Sequence, residues 1–318
     1  MQILVAGGGG YKGSVLVPKL LERGYKVTVL DLFWFGDYLP EHRYLTKIKN
    51  DIRAVNSLDL PKYDIVIHLA SIANDPCSNL DPELTWDISC QGSIEIMNFM
   101  VKSSSKRIIY ASSGSVYGLK KERKVTEDLD LIPLTAYNKA KISAEKIISS
   151  YNDKCDIQII RPATVCGLAP RMRLDVAVNL LTMQAIKKKK ITVLGGSQSR
   201  PNIHIQDLTN VYLHFIDRPN LTGIYNAGFE NISILSMAKQ IGKRLSVDIE
   251  LMPSNDLRSY RLSSDKLLKT GFEPQYGIGD AIEEIIHSHE AGKLLDLPNY
   301  YNVSWMEKNI MTNLRSAA

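Results

Sequence analysis

Apolar residues fall in short β-type runs at residues 2–6, 26–30, 47–49, 65–69, 107–111 and 157–160. Between these runs lie segments of helical period, including 13–23, 82–102 and 136–151. Strands separated by helices of that length need crossover connections, which are right-handed and build a parallel sheet covered on both faces. The pattern predicts an α/β fold, a doubly wound parallel sheet of the Rossmann type that takes ligands at the carboxyl ends of its strands. Beyond Arg161-Pro162 the pattern loosens. Short strands at 191–194, 223–226 and 248–251 mix with helices near 176–185, 208–217, 233–244, 264–270 and 279–290. We therefore expect a first domain over 1–165 and a smaller α+β lobe over 166–290, some of whose segments return to the first domain. Residues 291–318 read as a tail or strap with Trp305 as an anchor.

Composition changes this picture little. The chain is 44% hydrophobic and 23% charged, as ordinary globular proteins are. Its net charge of +5 suits an anionic ligand but is too small and too dispersed to argue for nucleic acid. The densest basic run, 187–190, reads as a solvated helix end. Residues 1–6 lack a basic flank and run into glycines, so they read as a buried strand and not a secretion signal. No stretch approaches the roughly 20 apolar residues that span a bilayer. Cys77, Cys90, Cys155 and Cys166 show no paired spacing, which points to buried thiols in a reducing cytoplasm. His287 and His289 lie two apart on an expected helix and face different ways, so no metal site is expected.

The first apolar run ends in Gly7-Gly8-Gly9-Gly10-Tyr11-Lys12-Gly13, followed by a helix. Glycines there allow a tight turn and let backbone amides approach a pyrophosphate, which the helix N-terminus also attracts. The consecutive glycines leave two spacings open. Gly8, Gly10 and Gly13 fit GxGxxG; Gly7, Gly10 and Gly13 fit GxxGxxG. Asp31 closes the second strand, where a carboxylate accepts hydrogen bonds from the adenosine ribose and repels a 2′-phosphate. Leu32 and Phe33 follow it, so NAD is favoured over NADP. Asp51-Ile52 and Leu69-Ala70-Ser71, after the third and fourth strands, are candidates for the adenine and pyrophosphate sides.

Tyr137 and Lys141 are four apart and project from one face of an expected helix. An ammonium beside a phenol favours the phenolate and brings its pKa down from about 10. The same lysine can hold a nicotinamide ribose. A serine-rich strand end, Ser112-Ser113-Gly114-Ser115, precedes this helix and can offer a hydroxyl to a reacting oxygen.

With these motifs the chain resembles the NAD-dependent epimerase/dehydratase family, the extended short-chain dehydrogenases typified by UDP-glucose 4-epimerase. The resemblance runs from Met1 to about His287. It includes the glycine loop, Asp31, Asp51-Ile52, His68-Leu69-Ala70, residues 112–118, Tyr137/Lys141, 161–167, 200–207 and Asp256-Leu257-Arg258. It implies that 1–165 binds NAD and that 166–290 mainly binds substrate. It places the catalytic hydroxyl on Ser113, beside Tyr137 and Lys141. Family dehydratases carry Asp-Glu where this chain has Gly114 and Ser115, so the resemblance implies hydride chemistry without water loss.

Arg200 and Arg258 match phosphate-facing arginines of the family, and Asn179 is a candidate diphosphate contact. Thr164 stands where many relatives have a sugar-binding asparagine. Arg171 and Arg173 belong to a segment, 170–179, similar to that of GDP-heptose 4-dehydrogenases; they contact either a nucleotide or a second subunit. The expected activity is NAD-dependent 4-epimerisation of a nucleotide-sugar. The alternatives are a 4-dehydrogenase that releases the keto sugar and, in a different class, an NAD-binding sensor or scaffold without turnover. The resemblance also implies a homodimer packed through helices 82–102 and 136–151.

Overall fold

The computed structural model describes residues 1–254 and 259–312. Arg258 lies outside the described residues. The strands are β1 (Gln2–Ala6), β2 (Lys26–Asp31), β3 (Leu45–Lys49), β4 (Ile65–His68), β5 (Arg107–Ala111), β6 (Asp156–Pro162), β7 (Thr164–Cys166), β8 (Lys190–Leu194), β9 (Ser199–His204), β10 (Gly223–Ala227), β11 (Glu230–Ser233) and β12 (Asp248–Met252).

Seven of them form one parallel sheet in the order β10-β6-β5-β4-β1-β2-β3. Alternate residues of each central strand enter two different cores. Ile3 and Val5 join one, Leu4 and Ala6 the other; Ile65 and Ile67 are likewise parted from Val66. A strand buried on both faces must be apolar throughout, which is why these runs stand out in the sequence. The fold is thus a Rossmann-type α/β sheet. Its strand order reverses between β1 and β4, and that crevice is where such sheets take ligands.

The helices are α1 (Gly13–Glu22), α2 (Asp75–Leu80), α3 (Pro82–Trp86), α4 (Gly92–Ser103), α5 (Ala136–Ser149), α6 (Ala177–Lys188), α7 (Ile205–Asp217), α8 (Ile234–Leu245), α9 (Asp265–Leu268), α10 (Ile278–Glu290) and α11 (Asn302–Met306). A π-helical turn, Asp87–Gln91, interrupts the helix expected over 82–102. The remaining strands form a three-stranded sheet, β11-β9-β7, and a parallel pair, β12-β8. Helices α6, α8 and α10 share a separate core beside them. β10 joins the large sheet instead, beside β6. Lys189 ends α6 in the left-handed region, φ 53°, and its neighbours Lys187 and Lys190 pair with Asp296 and Glu250. No helix among the described residues is long and apolar enough to cross a membrane.

Candidate active site

The glycine loop sits in the crevice between β1 and β4. Gly7 has φ +82°, and a Cβ there would lie 2.4 Å from the Ala70 amide nitrogen. A Cβ on Gly13 would lie 2.2 Å from the Gly8 carbonyl oxygen. Backbone, not a movable side chain, excludes a Cβ at both places. At Gly8 the obstacle is the Val29 side chain. The glycines that the backbone itself demands are therefore Gly7 and Gly13, which favours the Gly7-x-x-Gly10-x-x-Gly13 spacing, although position 10 has room for a Cβ. Next to the loop, Asp31 accepts hydrogen bonds from the amides of Gly9 (2.9 Å) and Phe33 (2.7 Å). Burial raises its pKa, and those amides oppose the rise. Asp51 caps the turn Ile52–Ser57 through the Arg53 amide and pairs with the Arg53 side chain. Burial pushes Lys12 down to about 8, with the Arg173 charge adding to the effect.

A second set of groups meets at the same cavity. Thr135, two residues before Tyr137, caps α5 by accepting from the Asn138 amide. Ser113 ends the loop after β5 and caps the short turn Gly114–Tyr117. Its hydroxyl is bonded to the Ser115 hydroxyl at 2.9 Å and stabilises the phenolate form of the neighbouring Tyr137. Ser112, the adjacent serine, is tied instead to Glu145. Lys141 donates to the Ala111 carbonyl oxygen at 2.8 Å, and its Nζ lies 6.0 Å from the Tyr137 ring centroid. All the cofactor-loop candidates, with Ser113, Tyr137 and Lys141, line one cavity.

The electrostatics differ from the expectation that Lys141 lowers the tyrosine. Burial pushes Tyr137 up to about 12; the Ser113 hydrogen bond opposes this and the Asp75 carboxylate adds to it. Burial also pushes Lys141 down to about 7, aided by the Lys12 charge and opposed by Glu145. Desolvation penalises both charged forms, so the protein alone does not hold a phenolate–ammonium pair.

Two substrate candidates are placed elsewhere. Asn179 is fully buried. Its Oδ1 accepts from the Gly167 amide, and its Nδ2 donates to the Arg173 carbonyl and to the Tyr11 hydroxyl. The side chain is consumed in shaping the 167–173 loop and does not face the cavity. Tyr11, which lines the cavity, donates its hydroxyl to the Gly167 carbonyl oxygen and so braces that loop. Arg200 lies on β9, opposite Ile232, and is not among the cavity-lining residues.

Asp75 is a further polar group of the site, outside the candidates that the sequence motifs mark. This carboxylate lines the cavity, accepts from the Thr135 hydroxyl at 2.5 Å and receives Asn138 Nδ2 at 3.4 Å. Asn138 Nδ2 also donates to Ser115 Oγ at 2.9 Å, so a polar chain runs from Asp75 through Asn138 and Ser115 to Ser113. The preceding Asn74 has φ +77°, a strained value for a residue with a Cβ, and such strain clusters at functional sites. An Asn-Asp-Pro run after the fourth strand was the available signal.

A parallel Rossmann-type sheet with a serine just after β5 and a tyrosine and lysine one turn apart on α5 is the arrangement of a short-chain dehydrogenase. More narrowly, the chain belongs to the NAD-dependent epimerase/dehydratase family, whose model matches residues 3–228. It is an enzyme, and its cofactor is NAD; the glycine cradle and the Asp31 carboxylate fit that group. The UDP-glucose 4-epimerase of Lactobacillus helveticus is 28% identical over 272 residues, covering 76% of this chain and 82% of the relative. A protein of Bacillus subtilis (strain 168) named as an uncharacterized UDP-glucose epimerase, YtcB, is 30% identical over 261 residues, 76% of this chain and 81% of its own. In fold, the chain matches the UDP-glucose 4-epimerase of Thermus thermophilus, solved with NAD. The TM-score is 0.79 at 23% identity, over 90% of this chain and 99% of that one.

Proposed function

We propose that the protein is a nucleotide-sugar 4-epimerase that removes hydride from C4 and returns it to the other face of the 4-keto sugar. The observation that carries this reading is the meeting of Ser113, Tyr137 and Lys141 with the glycine loop at one cavity. When bound, NAD supplies the acceptor and then the donor of the hydride. Tyr137 takes the O4 proton and later gives it back. Ser113 donates a hydrogen bond to that oxygen, and Lys141 holds the nicotinamide ribose and, when protonated, favours the phenolate.

Water loss needs an acid and a base at the reacting end of the site. Among the described residues, the carboxylates that line the cavity are Asp31, Asp51 and Asp75. Asp31 is bonded at the glycine loop and Asp51 is paired with Arg53. That leaves Asp75, already engaged by Thr135 and Asn138. One engaged carboxylate favours simple hydride transfer.

The names of the relatives support a UDP-sugar as substrate. Incubation with UDP-glucose and other nucleotide-sugars, followed by NMR of the sugar and by NADH absorbance, tests the reading. A new C4 diastereomer without net NADH is expected. Net NADH with a released 4-keto sugar would make the protein a 4-dehydrogenase instead, the reading favoured by the 170–179 segment. The same proposal takes the protein as a homodimer paired through α3, α4 and α5, where Trp86 and Val101 are exposed.

Asp75→Asn keeps the acceptor for Thr135 but removes a charge that opposes the Tyr137 phenolate. A carboxylate raises a neighbouring phenol, so its removal lowers it. Above the Lys141 step the phenolate population, and turnover with it, should rise about threefold, the effect of roughly 0.7 kcal/mol, with the rising limb itself unmoved. Unchanged turnover would assign Asp75 to holding the loop alone.

A further inference from the structure

Arg171 is the largest fully buried side chain of the described residues, at 1% exposure, yet it lines the cavity. Its guanidinium donates to the Met172 carbonyl (3.1 Å) and to Asn302 Oδ1 (2.6 Å), and lies 4.2 Å from the Phe35 ring centroid. Its Nε has no hydrogen-bond partner. The nearby carboxylates are already engaged. Asp175 is held by Arg173 and the Asn302 amide, and Asp31 by the amides of Gly9 and Phe33. A buried cation with an open donor and no ion-pair partner is costly unless an anion meets it.

The place of this arginine says which anion. The Arg171 amide donates to Ser14 Oγ at 3.2 Å, and Ser14 stands in the first turn of α1. The loop is therefore seated on the helix end where the glycine cradle takes a diphosphate. Lys12 and Arg173 line the same cavity, which concentrates positive charge there.

The C-terminal residues hold this arrangement together. Asn299 donates to the Phe35 carbonyl and to the Tyr38 hydroxyl, both at 2.7 Å. Trp305 donates to the Trp34 carbonyl at 2.8 Å, and the Leu174 amide donates to the Tyr300 carbonyl at 2.9 Å. Met306, Ile310 and Met311 pack with Ile72, Cys77 and Ile88 in a small core of their own. The segment thus ties the loop after β2 to the loop after β7, on either side of the glycine loop.

We propose that Arg171 binds the diphosphate of NAD, and that the C-terminal strap, through Asn302, holds it there and so governs cofactor retention. The family match ends at residue 228, so this control comes from a part of the chain the match does not include.

Calorimetric titration of the cofactor-stripped full chain with NAD, ADP-ribose and adenosine tests the proposal. Arg171→Met should weaken NAD and ADP-ribose roughly ten- to a hundredfold, the loss of one or two charge-assisted hydrogen bonds. Adenosine, which lacks the diphosphate, should bind as to the unaltered protein. Equal weakening of adenosine, or unchanged NAD affinity, overturns the assignment. Should Arg171→Met fail to fold, Arg171→Lys keeps the charge, loses the fork and should show the same selectivity at smaller size. Asn302→Leu should weaken NAD too, and Arg171→Met/Asn302→Leu no more than Arg171→Met alone. Additive losses would show that the strap does not act through Arg171.

Discussion

Tyr137→Phe is expected to lower turnover of a nucleotide-sugar about 10²–10⁴-fold, the usual worth of a positioned general base. NAD affinity should change little, because the ring and Lys141 remain. The pH dependence sharpens the test. Below about 7 Lys141 is protonated, and Tyr137 ionises only near about 12. Between those values the pair has lost one proton, and the phenolate–ammonium arrangement belongs to that same protonation state. Activity of the unaltered enzyme should therefore rise as pH passes about 7. Lys141→Met removes that step, so its residual activity should keep rising toward the tyrosine's own value of about 12. The other charged or titratable groups near Tyr137, namely Asp75, Arg173, Tyr110 and Tyr212, are unchanged in this variant. Stopped turnover with retained NAD supports the enzyme reading. A Tyr137→Phe protein that keeps its full biochemical effect would be a binder or scaffold.

The central sheet was legible because its strands are buried on both faces and the crossover helices have clear periods. The candidate reacting groups were legible because Tyr137 and Lys141 lie four apart on one helix and Ser113 follows a neighbouring strand closely. β7, β9 and β11 were not. They are three to six residues long, and β9 carries Arg200, Pro201 and Asn202, which hide a strand in a sequence. The surroundings of Asn179 were not legible, because residue type and position do not say which backbone groups need a partner; the loop at Gly167 and Arg173 claims its amide. The Arg171–Asn302 contact joins positions 131 residues apart, and no local pattern marks it. Asp75 meets Thr135 across 60 residues, for the same reason unseen.

Glu145→Leu is expected to cost about 3–5 kcal/mol of stability, the penalty for stranding one partner of a buried ion pair. Glu145 and Arg161 are 4% and 3% exposed and meet through two hydrogen bonds of 2.9 and 2.7 Å. Arg161 also donates to the Tyr117 hydroxyl at 2.8 Å, and Tyr117 donates to Asn226 Oδ1 at 2.8 Å. Ser112 donates to Glu145 from the end of β5. One network thus joins β5, the turn that Ser113 caps, α5, β6 and β10. It fixes the rotation and height of α5, and with them the positions of Tyr137 and Lys141 against Ser113. Without the carboxylate, Arg161 is a buried cation held only by a phenol. A lower denaturation midpoint at unchanged m-value should report the loss. Turnover should fall beyond what the unfolded fraction explains, because the helix that carries the proposed catalytic pair Tyr137 and Lys141 has lost its tie to the sheet. Pairing Glu145→Leu with Arg161→Met removes the stranded charge, so the double variant should be more stable than Glu145→Leu alone while still turning over slowly. A double variant less stable than the single one would mean that Arg161 finds another anionic partner, and the network would not be what registers α5.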